Sequence, residues 1–591
     1  MRTLCLVPLF LLFGCATVPD GGRETSSAAD GVFRRLSADY ISGYLDWRPQ
    51  TGTALGLHEY DGKLTDYSRP SLQSELARLK TFEQRLANLQ TDQLGTRASY
   101  DYRLLRASIQ REIFGFEQIQ SFTRNPMAYA GALDVNIYIK RNFAPLENRV
   151  RSIIVILGQA PRLFAAARAN LAESLPRPFI ETAIEQAGGL ADFLNKDLVE
   201  ALRNFRNENL MAEFDSTNRC AIAELRDFVT WLKTEKLPKA TEDYALGRDK
   251  YVQMLEYGEL VDISPERILE IGMRELHEKQ RVFAEAAAIV DPAKKPIEVF
   301  QQIQHDHPTA KNLIPDTARD LENIRQFLVD HQILTLPSRV RAQVAETPQY
   351  MRATSFASMD SPGVFEKRAT EAYYYVTPPE PDWTPRQTEE WLTAFNYYTT
   401  DIVSTHEAYP GHYVQFLCLQ ASPANRLEKI FTSYAFTEGW AHYAEQMMVD
   451  EGFGAPGASG NDAQGRIRAA KYRLAQTDEA LLRLCRLCVS VKMHCQGMTI
   501  DEATKFFQDN CYYEAKPARQ EAIRGAYDPE YLYYTLGKLE ILKLRDDYRK
   551  QEGANFSLRK FHDELLRHGA PPIRLLRECL LKDPASWPNV L

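Results

Sequence analysis

Apolar residues recur at three- and four-residue spacing, between charged ones, in run after run of this chain, and that period leaves room for little but amphipathic helices. It is seen over residues 71–89, 99–118, 150–171, 179–205 and 211–233, so the N-terminal third is expected to be a helical array. Ser264-Pro265-Glu266 adds a clear helix start. The hydroxyl caps free N–H groups, the proline sits where no N–H is needed, and the acid faces the positive end of the helix dipole. The helix opened there is expected to run to about residue 288. Thr384-Pro385-Arg386-Gln387 and Thr499-Ile500-Asp501-Glu502 are capping boxes. The first opens the segment leading into His406, and the second a helix just after His494. Only between 350 and 379 does the pattern turn to short β-like runs, above all Tyr373-Tyr374-Tyr375-Val376-Thr377 before Pro378-Pro379. The expected fold is mainly α with one small sheet.

With 591 residues, 44% of them hydrophobic and 11% aromatic, the chain can bury a large core. Its net charge of -8 is made of interspersed charges, with no long basic run to neutralise phosphates, which sets nucleic acid aside as a partner. The first fifteen residues read as a targeting segment: Arg2, an apolar core over 4–13, and Leu12-Phe13-Gly14-Cys15 at the end. That ending resembles a bacterial lipobox, which implies cleavage before Cys15, lipidation of its thiol and export to the envelope, with the lipid as the one membrane attachment. Residues 16–31, rich in Gly, Ser, Ala and Asp, suit a flexible tether, leaving 32–591 as the folded body. Seven cysteines follow Cys15, an odd number scattered through helical patterns, which is no disulfide scaffold. Cys485-Arg486-Leu487-Cys488 lies in a run read as amphipathic, with no second pair nearby, and is expected to be structural.

The chemistry concentrates in Thr405-His406-Glu407-Ala408-Tyr409-Pro410-Gly411-His412-Tyr413, where two histidines flank a carboxylate in an apolar setting. Neutral imidazoles hold a divalent ion, and an unligated carboxylate takes a proton from water; His406 and His412 suit the first task and Glu407 the second. In H-E-x-x-H the histidines stand about 40° apart on one helix face, but a separation of six residues puts them roughly 120° apart. A straight helix would not join them. Pro410 removes an N–H and Gly411 tolerates a kink, so a break there can bring the second ring back. Spacing alone fits equally well a helix end with one histidine on either side of a Pro-Gly turn. His305-Asp306-His307-Pro308 also offers H-x-H, but the proline and polar flanks point to an exposed loop.

His406 to Gln415, H-E-A-Y-P-G-H-Y-V-Q, followed by Glu438 to Glu445, E-G-W-A-H-Y-A-E, resembles the signature of the bacterial domain of unknown function 885 family. That family is itself similar to the gluzincin-type zinc peptidases, whose metal is held by two histidines and a glutamate from a following helix. The resemblance runs from the Ala54 to Asp61 stretch to about Leu580 and implies a large helical metallopeptidase-like fold, its sheet beside the metal helix, with the catalytic half over about 350–591. Tyr373 to Thr377 would then be an edge facing an extended peptide, or an aromatic strand packed on the core. The resemblance makes Glu438 the third ligand of one zinc ion, a placing that suits its aromatic neighbours Phe436 and Trp440, since an unpaired buried carboxylate is costly. Glu445, seven residues on and so on nearly the same face, can orient a ligand histidine. His442, four residues after Glu438, is either a local elaboration or an alternative ligand. A closing motif of arginine and then tyrosine three residues before glycine picks out Arg524 for a substrate carboxylate and Tyr534 for the oxyanion. The usual Pro-Gly-Gln reads Asp528-Pro529-Glu530 here. His494 aligns with a further family histidine, which places it among the catalytic residues, although Ser490 stands where that histidine's acidic partner would be.

The implied activity is peptide-bond hydrolysis by zinc-activated water, with Glu407 as general base and Tyr534 steadying the oxyanion. Two alternatives stay open: a metal-free lipoprotein that binds peptides or scaffolds partners, and a metal hydrolase of non-peptide esters or amides. Oligomeric state has no signature in the sequence.

Overall fold

Ser27 and Asp30 close both halves of a capping box and start the helix Ala28–Trp47 in the computed structural model, which describes residues 27–349, 352, 355–455 and 462–591. The targeting segment, Cys15 and most of the expected tether lie outside the described residues. Residues 28–31 belong to the helix instead, because Asp30 reaches back to the Ser27 N–H and fixes the first turn. Helices Arg69–Ala87, Thr96–Phe114, Arg177–Asn195 and Glu208–Trp231 follow the periodic runs. The 150–171 run divides into Leu146–Leu157 and Ala160–Asn170, since Pro161 has no N–H to continue the ladder. Their apolar faces meet around Leu157, Phe164, Phe214 and Phe228. A neighbouring core joins Phe33, Tyr40 and Leu104 to Leu427 and Leu575, so N-terminal helices pack directly on the C-terminal half.

Ser264 caps Pro265–Val290 as expected, accepting from the Arg267 N–H. This helix lies along the longest one, Ala463–Gln496. The run 480–491 within that long helix is buried all round rather than amphipathic, because it is also packed by Ala515–Tyr527 and Tyr533–Glu552. Cys485 and Cys488 sit there as free, buried thiols.

Three short strands form one sheet: β1 (Gln343–Glu346), β2 (Ala357–Asp360) and β3 (Tyr373–Val376), in the order β1-β3-β2. β3 runs parallel to β1 and antiparallel to β2. It is therefore the central strand, and the expectation of a substrate-facing edge at Tyr373 to Thr377 fails: both edges of its backbone are used. The packed alternative holds, with Tyr374 and Val376 fully buried. The Tyr374 hydroxyl accepts from Ser404 Oγ at 3.2 Å, which docks the sheet beside helix Tyr397–Glu407.

Helices Tyr434–Asp450 and Tyr533–Glu552 cross at backbone contact. A Cβ on Gly439 would stand 2.5 Å from the Gly537 carbonyl carbon, and one on Gly537 would stand 1.8 Å from the Ala435 oxygen. Glycine at both positions is what allows so close an approach.

Candidate metal centre

Asn396 caps the helix Tyr397–Glu407, accepting from the Thr399 N–H. The helix stops after Glu407, the Tyr409–Pro410 peptide is cis, and a new helix, His412–Ala421, begins. The Gly411 N–H donates to the Thr405 carbonyl at 3.0 Å. A Cβ on Gly411 would lie 1.7 Å from the His406 carbonyl oxygen, so no larger residue fits this turn as it stands. The break has the effect expected of Pro410-Gly411. The His406 and His412 rings come together with centroids 4.8 Å apart and planes at 89°.

The Glu438 carboxylate enters from the next helix. Its Oε2 lies 3.5 Å from His406 Nε2 and 3.4 Å from His412 Nε2. These match the edge of a tetrahedron of ligands about 2.0–2.1 Å from a zinc ion, roughly 3.3–3.4 Å. The same Oε2 is buried without a hydrogen-bond partner, which is costly for a carboxylate unless a cation meets it. Two imidazoles, one carboxylate and a partnerless oxygen fit zinc. Burial alone would raise the Glu438 carboxyl, but the two imidazoles hold it well below the usual carboxylate range. Burial would likewise lower His406, yet Glu438 and Glu445 bring it up to about 9. Both carboxylates thus favour positive charge at this point, the charge a divalent ion brings.

Glu445, wholly buried, organises the layer behind the ligands. His406 Nδ1 is 2.6 Å from its Oε1, His442 Nδ1 is 3.0 Å from its Oε2, and Arg483 Nη2 is 3.3 Å from Oε1. With Nδ1 held as donor, His406 turns Nε2 towards Glu438 and His412, where it would face a metal ion. His442 spends Nδ1 on the same carboxylate, and its Nε2 faces Lys538 Nζ at 3.5 Å. It is therefore not an alternative ligand but part of the support for Glu445. Burial pushes the Lys538 amine down to about 7. Glu445→Gln should weaken zinc binding by about 10–100-fold without unfolding the chain, since Arg483 keeps Glu479. Competition against a chromophoric chelator measures this; unchanged affinity would leave Glu445 a merely structural part.

Glu407 stays outside the His406–His412–Glu438 cluster and accepts the Met359 N–H of β2 at 3.0 Å. Tyr534, in the first turn of Tyr533–Glu552, lies nearly parallel to His406 at 6.5 Å and shares a hydrogen bond with Tyr434. Burial, and then the Glu438 charge, raise its phenol, which keeps the hydroxyl protonated and able to donate. The guanidinium groups of Arg486, Arg483 and Arg524 stand 5.3, 5.8 and 6.0 Å from its ring centre. Arg524 is itself held by Asp528 at 2.9 Å. His494 does not reach the site. Its Nδ1 accepts the Leu246 N–H at 3.2 Å and its Nε2 donates to the Gly525 carbonyl at 2.8 Å, which uses both nitrogens and corrects its catalytic placing. Burial lowers it to about 4, in keeping with a neutral ring that ties the long helix to Ala515–Tyr527. Ser490, without a charge to offer, instead bonds Tyr251 and the Pro529 carbonyl.

A family model described as "Bacterial protein of unknown function (DUF885)" matches residues 49–580. The chain belongs to this family. The DUF885 match contains every site residue named above, from Met359 to Lys538. Two solved structures share the fold of this DUF885 chain. One, a "putative lipoprotein of unknown function" from Shewanella oneidensis, is 22% identical, with a TM-score of 0.77 over 93% of this chain and 100% of its own. The other, a "putative lipoprotein" from Colwellia psychrerythraea, is 18% identical, with a TM-score of 0.74 over 95% and 99%. No curated protein matches the sequence.

Sequence reasoning on this DUF885 chain missed Tyr434, Arg483, Arg486 and Lys538. Tyr434 had a signal, standing one turn before Glu438 on the same face. The two arginines lie in an otherwise apolar stretch, where a buried charge points to a partner, here Glu445 and Glu479 for Arg483 and Glu521 for Arg486.

Proposed function

We propose that this chain is a zinc-dependent hydrolase that cleaves peptide bonds, of the gluzincin kind, carried on an exported lipoprotein anchored through Cys15. The observation that supports it above all is the meeting of His406, His412 and Glu438 at tetrahedral spacing, with Glu407 beside them and unligated. Zinc held there would lower the pKa of water towards about 7 and polarise a carbonyl. Glu407, next to His406 in the chain, would serve as the base that takes a proton from water and passes it to the leaving amine. Tyr534, kept protonated, donates to the oxygen on which charge develops. The Met359 N–H points off the sheet towards Glu407, so the open edge of β2, rather than β3, runs past the base. An extended peptide added to that edge would carry its carbonyls between Glu407 and Tyr534. Arg524, at the rim, suits a substrate carboxylate in exchange for Asp528. The lipoprotein reading rests on Leu12-Phe13-Gly14-Cys15 and on the wording given to the two structural neighbours.

The test is zinc content by elemental analysis, together with a peptide-library digest before and after chelation. Cleavage that disappears with the chelator and returns with zinc is the expected result. A chain that contains no zinc at the central site and cleaves nothing overturns the proposal in favour of a binding protein. Hydrolysis confined to an ester panel would move it to the non-peptide alternative.

A further inference from the structure

The His305-Asp306-His307 stretch forms a loop, as expected, but a built one. The central Asp306 is pinned three ways: its carboxylate accepts from the Tyr398 hydroxyl at 2.8 Å and from Lys471 Nζ at 2.7 Å, and its carbonyl accepts the Tyr397 N–H at 3.0 Å. His307 Nε2 and His305 Nδ1 both approach one atom, Glu389 Oε1, at 3.1 and 3.5 Å. Glu389 belongs to a different element, the helix Pro385–Ala394 that starts at the Thr384 capping box. Ligand atoms of all three lie within 4.8 Å of one another, near enough to meet on one cation. His307 Nδ1 lies 2.9 Å from the Pro308 carbonyl. That hydrogen bond fixes the tautomer that leaves the Nε2 lone pair free, the same orienting device that Glu445 provides for His406. A surface histidine–glutamate pair needs only one ring. A second imidazole nitrogen brought to the same carboxylate makes a set of three donors able to share one cation.

We infer that His305, His307 and Glu389 form a second metal site, for a zinc-like divalent transition ion, separate from the central one. Two imidazoles and a carboxylate suit zinc, with open positions left to water, whereas calcium and magnesium prefer oxygen donors throughout. The ion would clamp the loop after helix Pro296–Ile303 to helix Pro385–Ala394. It would do so beside Tyr397, the first residue of the helix that carries His406 and Glu407. Its occupancy would therefore steady the start of that helix.

The experiment is equilibrium dialysis of the full chain against zinc, counting bound ions in five proteins: the unaltered chain, His406→Ala/His412→Ala, that variant with Glu389→Gln added, His305→Ala/His307→Ala, and all four histidine changes together. Circular dichroism confirms that each is folded. The expected result is one ion in the His406/His412 variant, bound at least about tenfold more weakly once Glu389→Gln is added, and none in the fourfold variant. Zinc should also raise the unfolding midpoint of the His406/His412 variant and leave that of the fourfold variant unmoved. Equal zinc in those two variants overturns the inference. An unaltered chain holding a single ion that is lost only with His305 and His307 would sustain it and would instead bring down the central zinc reading.

Discussion

Glu407→Gln is expected to leave zinc content unchanged and to reduce peptide turnover by about two to four orders of magnitude. Glutamine has nearly the shape of glutamate, so it keeps the geometry but loses the base. Its amide oxygen can still accept the Met359 N–H that now binds Glu407 Oε2 at 3.0 Å, so β2 keeps its place. The ligands His406, His412 and Glu438 contact one another and Glu445 rather than Glu407, so metal retention is separable from proton transfer. Steady-state kinetics on a peptide found by library digest, with zinc measured on the same sample, gives both readouts. Turnover within a few-fold of the unaltered chain would remove Glu407 from its role, and lost zinc would make it a ligand.

Gly411→Ala is expected to be the most damaging single-atom addition in the site. The new methyl would fall 1.7 Å from the His406 carbonyl oxygen and 2.5 Å from that of Thr405. Both are backbone atoms that no rotamer change can move aside. The turn must open, and opening it carries His412 away from His406 and Glu438. Zinc affinity should fall by more than about 100-fold, beyond the range for disturbing a supporting group, and activity should be lost with it. Overpacking adds a stability cost of about 1–3 kcal/mol. Gly188→Ala is the matched control: an added Cβ there meets nothing within 4 Å, and helix propensity predicts a neutral or mildly stabilising change. Calorimetric zinc titration of the two variants side by side decides the matter. Equal zinc affinity in both would show that the turn has freedom to spare.

What the sequence made legible was local. Ser264, Thr384 and Thr499 each start a helix because the cap and the first-turn acid or amide, with a proline after Ser264 and Thr384, act within four residues. The return of His412 was legible for the same reason, since Pro410 and Gly411 lie between the two ligands. What stayed hidden depends on distant chain. β3 looked like an open strand because its partner β1 lies some thirty residues upstream, in a stretch with no β-like alternation. His494 looked catalytic by alignment, and only the backbone of Leu246 and Gly525, both remote in sequence, shows where its nitrogens are spent. The run 480–491 looked amphipathic because Arg483 and Arg486 interrupt its apolar residues at helical spacing. Glu445, Glu479 and Glu521 turn those arginines inward.

The meeting of Gly439 with Gly537 has its own consequence for how such a cleft can change over time. Glu438 adjoins the first glycine and Tyr534 stands one turn before the second, so the proposed third ligand and the proposed oxyanion donor ride on two rods already touching and keep a set separation. That bank of the cleft has no slack for trimming or padding. On the proposed function, variation in substrate size would then be accommodated on the opposite bank, where β2 and the residues around Met359 border the Glu407 side.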